Sequence, residues 1–199
     1  MAKLIDQVDE LKKKLIIDTA NKYFKISGYE KTQIDKISKE LGIGVGTIYG
    51  YFKNKEGLFL AWLSSVIQNA YEEMKLTCDE VSSPVEKLEK MAEYKIKYFE
   101  RNKTTIKAYM ENNQLFLRGI SRRKEHPMAC VYAYSASIIR EIKKMSEDTA
   151  YLLANIFDSM INCYIECSSE NDDLMAKKNE IVKRFLAMLE VGVWKRFYQ

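Results

Sequence analysis

The stretch Thr32-Gln33-Ile34-Asp35-Lys36-Ile37-Ser38-Lys39-Glu40-Leu41-Gly42-Ile43-Gly44-Val45-Gly46-Thr47-Ile48-Tyr49-Gly50-Tyr51-Phe52 decides how this chain folds. Ile34, Ile37 and Leu41 recur at helical spacing with Lys36, Lys39 and Glu40 between them, which predicts a short amphipathic helix. Thr32 reads as its N-cap, with Asp35 at the third helical position as a near capping box. Gly42-Ile43-Gly44 stops that helix, and a second is predicted from Val45 to Phe52, ending at Lys53-Asn54. Two short helices joined by a glycine-containing turn and backed by a third make a helix-turn-helix. Ile34, Ile37, Leu41, Ile43, Ile48 and Phe52 would form the small core that fixes the angle between them. Such an arrangement lets the second helix enter a DNA major groove while the first crosses the backbone.

The pattern continues as helix on both sides. Upstream, Leu4, Val8, Leu11, Leu15, Thr19 and Tyr23 form one stripe, and Gly28 stands where a left-handed cap would end that helix. Downstream, Asn54 caps a helix carrying Leu58, Trp62, Val66 and Ala70. Ser83 and Pro84 open another over about 84–101, with Ser83 as N-cap and proline at the first helical position. Further helices are expected over about 104–118, from His126-Pro127 to about 145, over 147–168 from Ser146, and over 174–197 after the polar break 168–173. The expectation is all-α: a three-helix helix-turn-helix domain over residues 1–60, then a six-helix domain over 61–199.

Composition agrees. The 199 residues include eight glycines and two prolines, too few turn-formers for a sandwich or barrel. Hydrophobic residues at 47% and charged residues at 30% suit a globular chain rather than a disordered one. The net charge of +4 is mild, but residues 1–60 hold 11 lysines against 8 acids, a weak lean towards phosphate. The start carries charges where a secretory signal needs an apolar core. No apolar run approaches the ~20 residues of a membrane span, so no membrane partner and a cytoplasmic place are expected. Cys78, Cys130, Cys163 and Cys167 are expected reduced and in the core. Cys163 and Cys167 share a face at i, i+4, which leaves a soft-metal or redox pair as the alternative to core packing, but His126 is the one histidine, so neither a metal nor a cofactor is expected.

Lys14-x-Ile16-x-x-x-Ala20-x-x-Phe24-x-x-x-Gly28-Tyr29-x-x-Thr32, then Ile37-x-x-x-Leu41-Gly42-Ile43-x-x-Gly46-Thr47-Ile48-Tyr49-x-Tyr51-Phe52-x-x-Lys55-Glu56-x-Leu58, resembles the N-terminal domain of the TetR family of transcriptional regulators. The resemblance covers residues 13–60 without a gap and is densest from Gly46 to Leu58. It implies a homodimeric repressor of a palindromic double-stranded DNA site, with a C-terminal domain that answers a small-molecule effector. It also implies that Thr47, Tyr49, Tyr51 and Lys55 contact DNA, mostly its phosphates, and that Thr32 caps the preceding helix at the backbone. Hydroxyls and a lysine are suitable phosphate donors. Packing on the small domain is the competing role for the two tyrosines, and a solvated helix start for Lys55.

The chain departs from that family pattern in ways that bear on specificity. Gly44 stands where serine commonly caps the recognition helix, Gly50 where a bulkier groove-facing side chain is usual, and Asp35 where a polar or basic group is frequent. No Arg, Lys, Asn or Gln lies between Gly42 and Phe52, so two-pronged reading of guanine or adenine from this helix is excluded. Discrimination is then expected from Val45 and the Thr47 methyl against thymine methyls, with Gly46 between them, from Gln33, and from DNA shape. Lys12-Lys13-Lys14 reads either as a phosphate-contacting arm or as a solvated face.

Beyond residue 60, Trp62, Tyr94, Tyr98, Tyr109, Phe116, Tyr132, Tyr134, Phe157 and Met160 are candidates to line an apolar ligand pocket, with ordinary core packing as the alternative. Tyrosines near Glu93, Glu100 or Glu111 would suit a flat or cationic lipophile; an acyl chain fits as well. The helix from Lys55 is the expected lever, carrying Trp62 and Val66 towards the sensor. The resemblance implies pairing of the last two helices with their symmetry mates, placing two recognition helices about 34–36 Å apart. Little in the chain would run catalysis, so no enzyme is expected. The rival reading is a helical ligand-binding or interaction protein with only weak, non-specific affinity for DNA.

Overall fold

The first helix bends where a glycine sits. In the computed structural model, which describes residues 2–103, 128–168 and 173–191, α1 (Ala2–Lys31) carries Gly28 at φ 69°, ψ 177°, inside the left-handed φ range that favours glycine. Then follow α2 (Ile34–Leu41), α3 (Val45–Phe52), α4 (Lys55–Asp79), α5 (Pro84–Arg101), α6 (Ala129–Ile142), α7 (Glu147–Glu166) and α8 (Leu174–Val191). Every regular element among the described residues is a helix, as expected. The helix anticipated over 104–118 and the His126-Pro127 start lie outside the described residues. No described helix is long and apolar enough to cross a membrane.

The described chain forms two units, residues 2–69 with 102–103, and residues 70–101 with 128–168 and 173–191. In the first, Ile16, Ala20 and Phe24 of α1 meet Ile34 and Ile37 of α2, Ile48 and Phe52 of α3, and Leu58, Phe59, Trp62 and Leu63 of α4. Phe24 meets Phe59 edge-on, ring centres 5.1 Å apart. Leu41 and Ile43 pack partly buried against this core, as does Val66. Val66 therefore belongs to the core of the first unit.

Two expectations for this unit need correction. The amino-terminal part of the α1 stripe does not face inward: Val8, Leu11 and Leu15 are 42%, 67% and 58% exposed, while Thr19 of the stripe is buried together with Ile16, Ala20 and Phe24. Both sets have helical spacing, and period alone does not choose between two apolar faces. Thr32 is not the N-cap of α2 either; Gln33 is, without a side-chain capping bond. The Gly28 kink explains the change. The Thr32 amide donates to Tyr29 O rather than to Gly28 O, and the Thr32 hydroxyl supplies the missing donor to Gly28 O at 2.6 Å.

The second unit is a bundle with regular inward faces. Leu88, Ala92 and Ile96 of α5 meet Ile138 and Ile139 of α6, Leu153, Phe157 and Ile161 of α7, and Ile181, Phe185 and Leu189 of α8. Serines cap where the sequence placed them: the Glu86 amide donates to Ser83 Oγ at 3.4 Å, and the Thr149 amide to Ser146 Oγ at 3.2 Å. Polar ties join the helices. Glu93 takes Lys178 at 2.7 Å and Lys97 at 2.6 Å, and Lys95 pairs with Asp158. The cysteines divide. Cys78 is buried as expected, whereas Cys163 and Cys167 are exposed, contrary to the core reading. Their i, i+4 spacing does place them on one face, but that face of α7 is not the one that carries its buried Leu153, Phe157 and Ile161.

Candidate nucleic-acid interface

The turn between α2 and α3 is built by backbone chemistry. Gly42 adopts φ 65°, ψ 28°; its amide donates to Lys39 O at 3.2 Å and that of Ile43 to Ser38 O at 3.0 Å. These two bonds are the Schellman pair that closes a helix C-terminus on a left-handed residue. Gly44 is then the N-cap of α3, with no side chain to offer. Ile48 and Phe52 anchor α3 inward, while Gly46, Thr47, Tyr49 and Gly50 are exposed. A Cβ added at Gly46 or Gly50 would meet nothing within 4 Å. The outer face of α3 is thus small, with Thr47 and Tyr49 as its hydroxyls and Val45 half-buried at its start.

The exit from α3 is tighter than its entry. Lys53 takes φ 65°, and the Asn54 amide donates back to Phe52 O at 2.8 Å, forming a γ-turn of the strained, positive-φ kind. Asn54 Oδ1 then accepts from the Gly57 amide at 2.8 Å and starts α4. A Cβ on Gly57 would stand 1.9 Å from Phe52 O. This glycine allows the end of α3 to lie directly against the first turn of α4.

Of the remaining candidate DNA contacts, the side chains of Tyr51, Lys55 and Thr32 have partners within the protein. Tyr51 donates its hydroxyl to Asp9 Oδ1 at 2.8 Å, and that bond raises the Tyr51 pKa, keeping the hydroxyl protonated. Lys55 Nζ donates to Glu30 O at 3.0 Å and lies 4.7 Å from the Tyr29 ring centre, where the α1 C-terminus favours a cation. Thr32 is buried and bound to Gly28 O, and Gln33 is exposed beside it. Glu40 of α2 accepts from Tyr23 at 2.8 Å and Lys22 at 2.7 Å of α1. Those bonds hold its carboxyl below the usual range. Sequence reading missed Asp9 and Glu40 because their partners are 42 and 17–18 residues away.

The aromatic candidates fall in different surroundings. Trp62 is in the core of the first unit, its indole N–H donating to Asn21 Oδ1 at 2.8 Å. In the second unit Tyr94 stacks on Tyr98 at 5.9 Å and donates to Glu73 at 2.8 Å. Tyr134 meets Tyr71 edge-on at 6.0 Å and donates to Asp79 at 3.1 Å. Tyr132 meets Tyr151 edge-on at 5.8 Å. Burial pushes the pKa values of Tyr94, Tyr132 and Tyr134 up, so all three are neutral donors. Phe157 is sealed against Phe185, and Met160 packs at the core's edge. The acids expected beside the tyrosines differ: Glu73 and Asp79 serve, while Glu93 is taken by two lysines. Tyr109, Phe116 and Glu111 lie outside the described residues.

Residues 16–62 match the sequence model for bacterial regulatory proteins of the tetR family. Over 161 residues, 75% of this chain and 82% of the relative, the sequence is 27% identical to YhgD of Bacillus subtilis, described as an uncharacterized HTH-type transcriptional regulator. The fold resembles FadR from Bacillus subtilis in complex with stearoyl-CoA, with a TM-score of 0.62, 22% identity, and coverage of 87% of this chain and 97% of that one. It also resembles Thermus thermophilus FadR, a TetR-family repressor in complex with lauroyl-CoA, with a TM-score of 0.64, 19% identity, and coverage of 91% and 94%. The helix-turn-helix geometry and the matched motif together make residues 16–62 a DNA-binding domain of the kind found in the TetR family of transcriptional regulators.

Proposed function

We propose that this DNA-binding regulator is a homodimeric repressor of a palindromic site, released from it by a small apolar effector held in the C-terminal unit. The observation that carries the reading is the shape of α3. It is anchored by Ile48 and Phe52 and presents Thr47 and Tyr49 on a face kept low by Gly46 and Gly50. In this reading Thr47, Tyr49, Tyr51 and Lys55 hold phosphates, while Gln33, Val45 and Thr47 face base edges. Thr32 sets the end of α1, and Gly46 lets the backbone approach. The two halves of the chain are read as a DNA-binding domain over 1–60 and an effector and dimerisation domain over 61–199. α7 and α8 form the subunit contact, for which α7 offers exposed Leu152.

The effector class favoured is a long-chain acyl thioester. The apolar bundle interior suits the chain, Tyr94, Tyr98, Tyr132 and Tyr134 are read as its aromatic lining, and two structural neighbours were crystallised with acyl-CoA. Phe157 and Met160 then act as packing beneath the site, and Trp62 as core of the first unit. A DNA partner in a bacterium implies a cytoplasmic place, and no residue is assigned a catalytic role. Selection of the purified protein against a random duplex pool tests the reading. Enrichment of one palindrome that stearoyl-CoA or lauroyl-CoA then displaces supports it. An unenriched pool supports the rival, a helical ligand-binding protein with weak general DNA affinity; the engagement of Tyr51 by Asp9 and Lys55 by Glu30 is the observation in its favour.

A further inference from the structure

Cys163 and Cys167 are exposed on adjoining turns at the end of α7. Their sulfurs are 3.9 Å apart. Two sulfurs bound about 2.3 Å from one tetrahedral centre lie about 3.8 Å apart. The helix therefore holds this pair close to the bite of a two-thiolate chelate, and small χ1 changes bring the sulfurs the further few tenths of an ångström together that a pyramidal trivalent centre requires. Cys167, hydrogen-bonded to Cys163, raises the Cys163 pKa, so the resting site is not a pair of thiolates. The other cysteines differ: burial pushes Cys78 up to about 11 and also raises half-buried Cys130.

Among the described residues no three His, Cys, Asp or Glu side chains gather as a metal site. A closed four-ligand zinc site is therefore not built here. A soft centre that needs only two protein sulfurs and brings its own third substituent does fit. We propose that Cys163 and Cys167 form a chelating site for a trivalent arsenical. With a monosubstituted arsenical oxide, two As–S bonds form and the As–O bond breaks. The two thiol protons leave with that oxygen as one water, and arsenic stays trivalent throughout. The site is read out by thiol chemistry and not by DNA, on the same helix that the proposed subunit contact uses, so reaction of the native protein tests its accessibility directly.

The probe is phenylarsine oxide, added to the native full-length protein and followed by intact mass and by counting remaining thiols. One arsenical per chain with two thiols lost together is the expected result. Cys163→Ser and Cys167→Ser should each weaken binding by about a hundredfold, the advantage of the second, intramolecular bond. A Cys78→Ser, Cys130→Ser double variant should bind like the parent. Ethanedithiol should strip the arsenical while mercaptoethanol at equal thiol concentration does not. Loss of a single thiol per arsenical, unchanged affinity in either single variant, or reaction only after unfolding would each overturn the proposal.

Discussion

Tyr51 has one hydroxyl proton and two acceptors that compete for it. In the structure Asp9 takes it at 2.8 Å; in the proposed complex a DNA phosphate does. A carboxylate at this point both occupies the donor and repels the phosphate, so Asp9 restrains DNA binding. Asp9→Ala is expected to raise affinity for the selected duplex about three- to tenfold, the net size of one ordinary hydrogen bond. Fluorescence anisotropy at fixed salt measures it. Tyr51→Phe should bind more weakly, and adding Asp9→Ala to it should return only the smaller gain that Asp6→Ala gives by removing a charge. An equal gain in both backgrounds would mean that Asp9 acts through charge alone.

At the scale of elements, two glycines around α3 have opposite meanings. Gly50 is helical with open space about it. Alanine there removes the entropic cost of glycine, and Gly50→Ala should stabilise the protein by ~1 kcal/mol in urea unfolding. Gly57 has the Phe52 carbonyl where a Cβ would go. Gly57→Ala must push α3 away from α4 and should destabilise by about 3 kcal/mol, at the upper end for overpacking. The same unfolding experiment distinguishes them, and a neutral Gly57→Ala would show that the junction between α3 and α4 yields. The γ-turn at Lys53 makes such yielding costly, since its positive φ is already strained.

At the scale of the molecule, polar ties between bundle helices give an acid response. Lys178 and Lys97 hold Glu93 at a pKa of about 2, below its ordinary 4.5. Between those values the unfolded chain binds the proton and the folded one does not. The stabilisation is therefore complete above pH 4.5 and is lost as pH falls towards 2. Glu93→Gln should cost on the order of 2 kcal/mol at pH 7. The gap from the parent should narrow between pH 5 and pH 3, followed by urea unfolding at each pH; a pH-independent gap would assign the loss to packing. Assembly is tested by Leu152→Glu, which puts a charge on the exposed face of α7 proposed to pair with a second copy. Light scattering should then show a monomer where the parent is a dimer.

What the sequence by itself determined is what short-range chemistry controls. Gly42 in a left-handed cap, Asn54, Ser83 and Ser146 at helix starts, Pro84 at a first helical position, and the inward set Ile34, Ile37, Ile48 and Phe52 all follow from neighbours a few residues away. The family motif lies in that same stretch, so the fold class and the DNA-binding element were legible. The tertiary structure decided the phase of each pattern. It chose Ile16, Ala20 and Phe24 over Val8, Leu11 and Leu15 as the inner face of α1, and it turned Cys163 and Cys167 outward. It gave Tyr51 a partner 42 residues away and put Trp62 in the core of the first unit. The reason is physical: periodicity reports that a helix has an apolar stripe, but only the surface packed against it selects which stripe is buried and which polar tip is already bound.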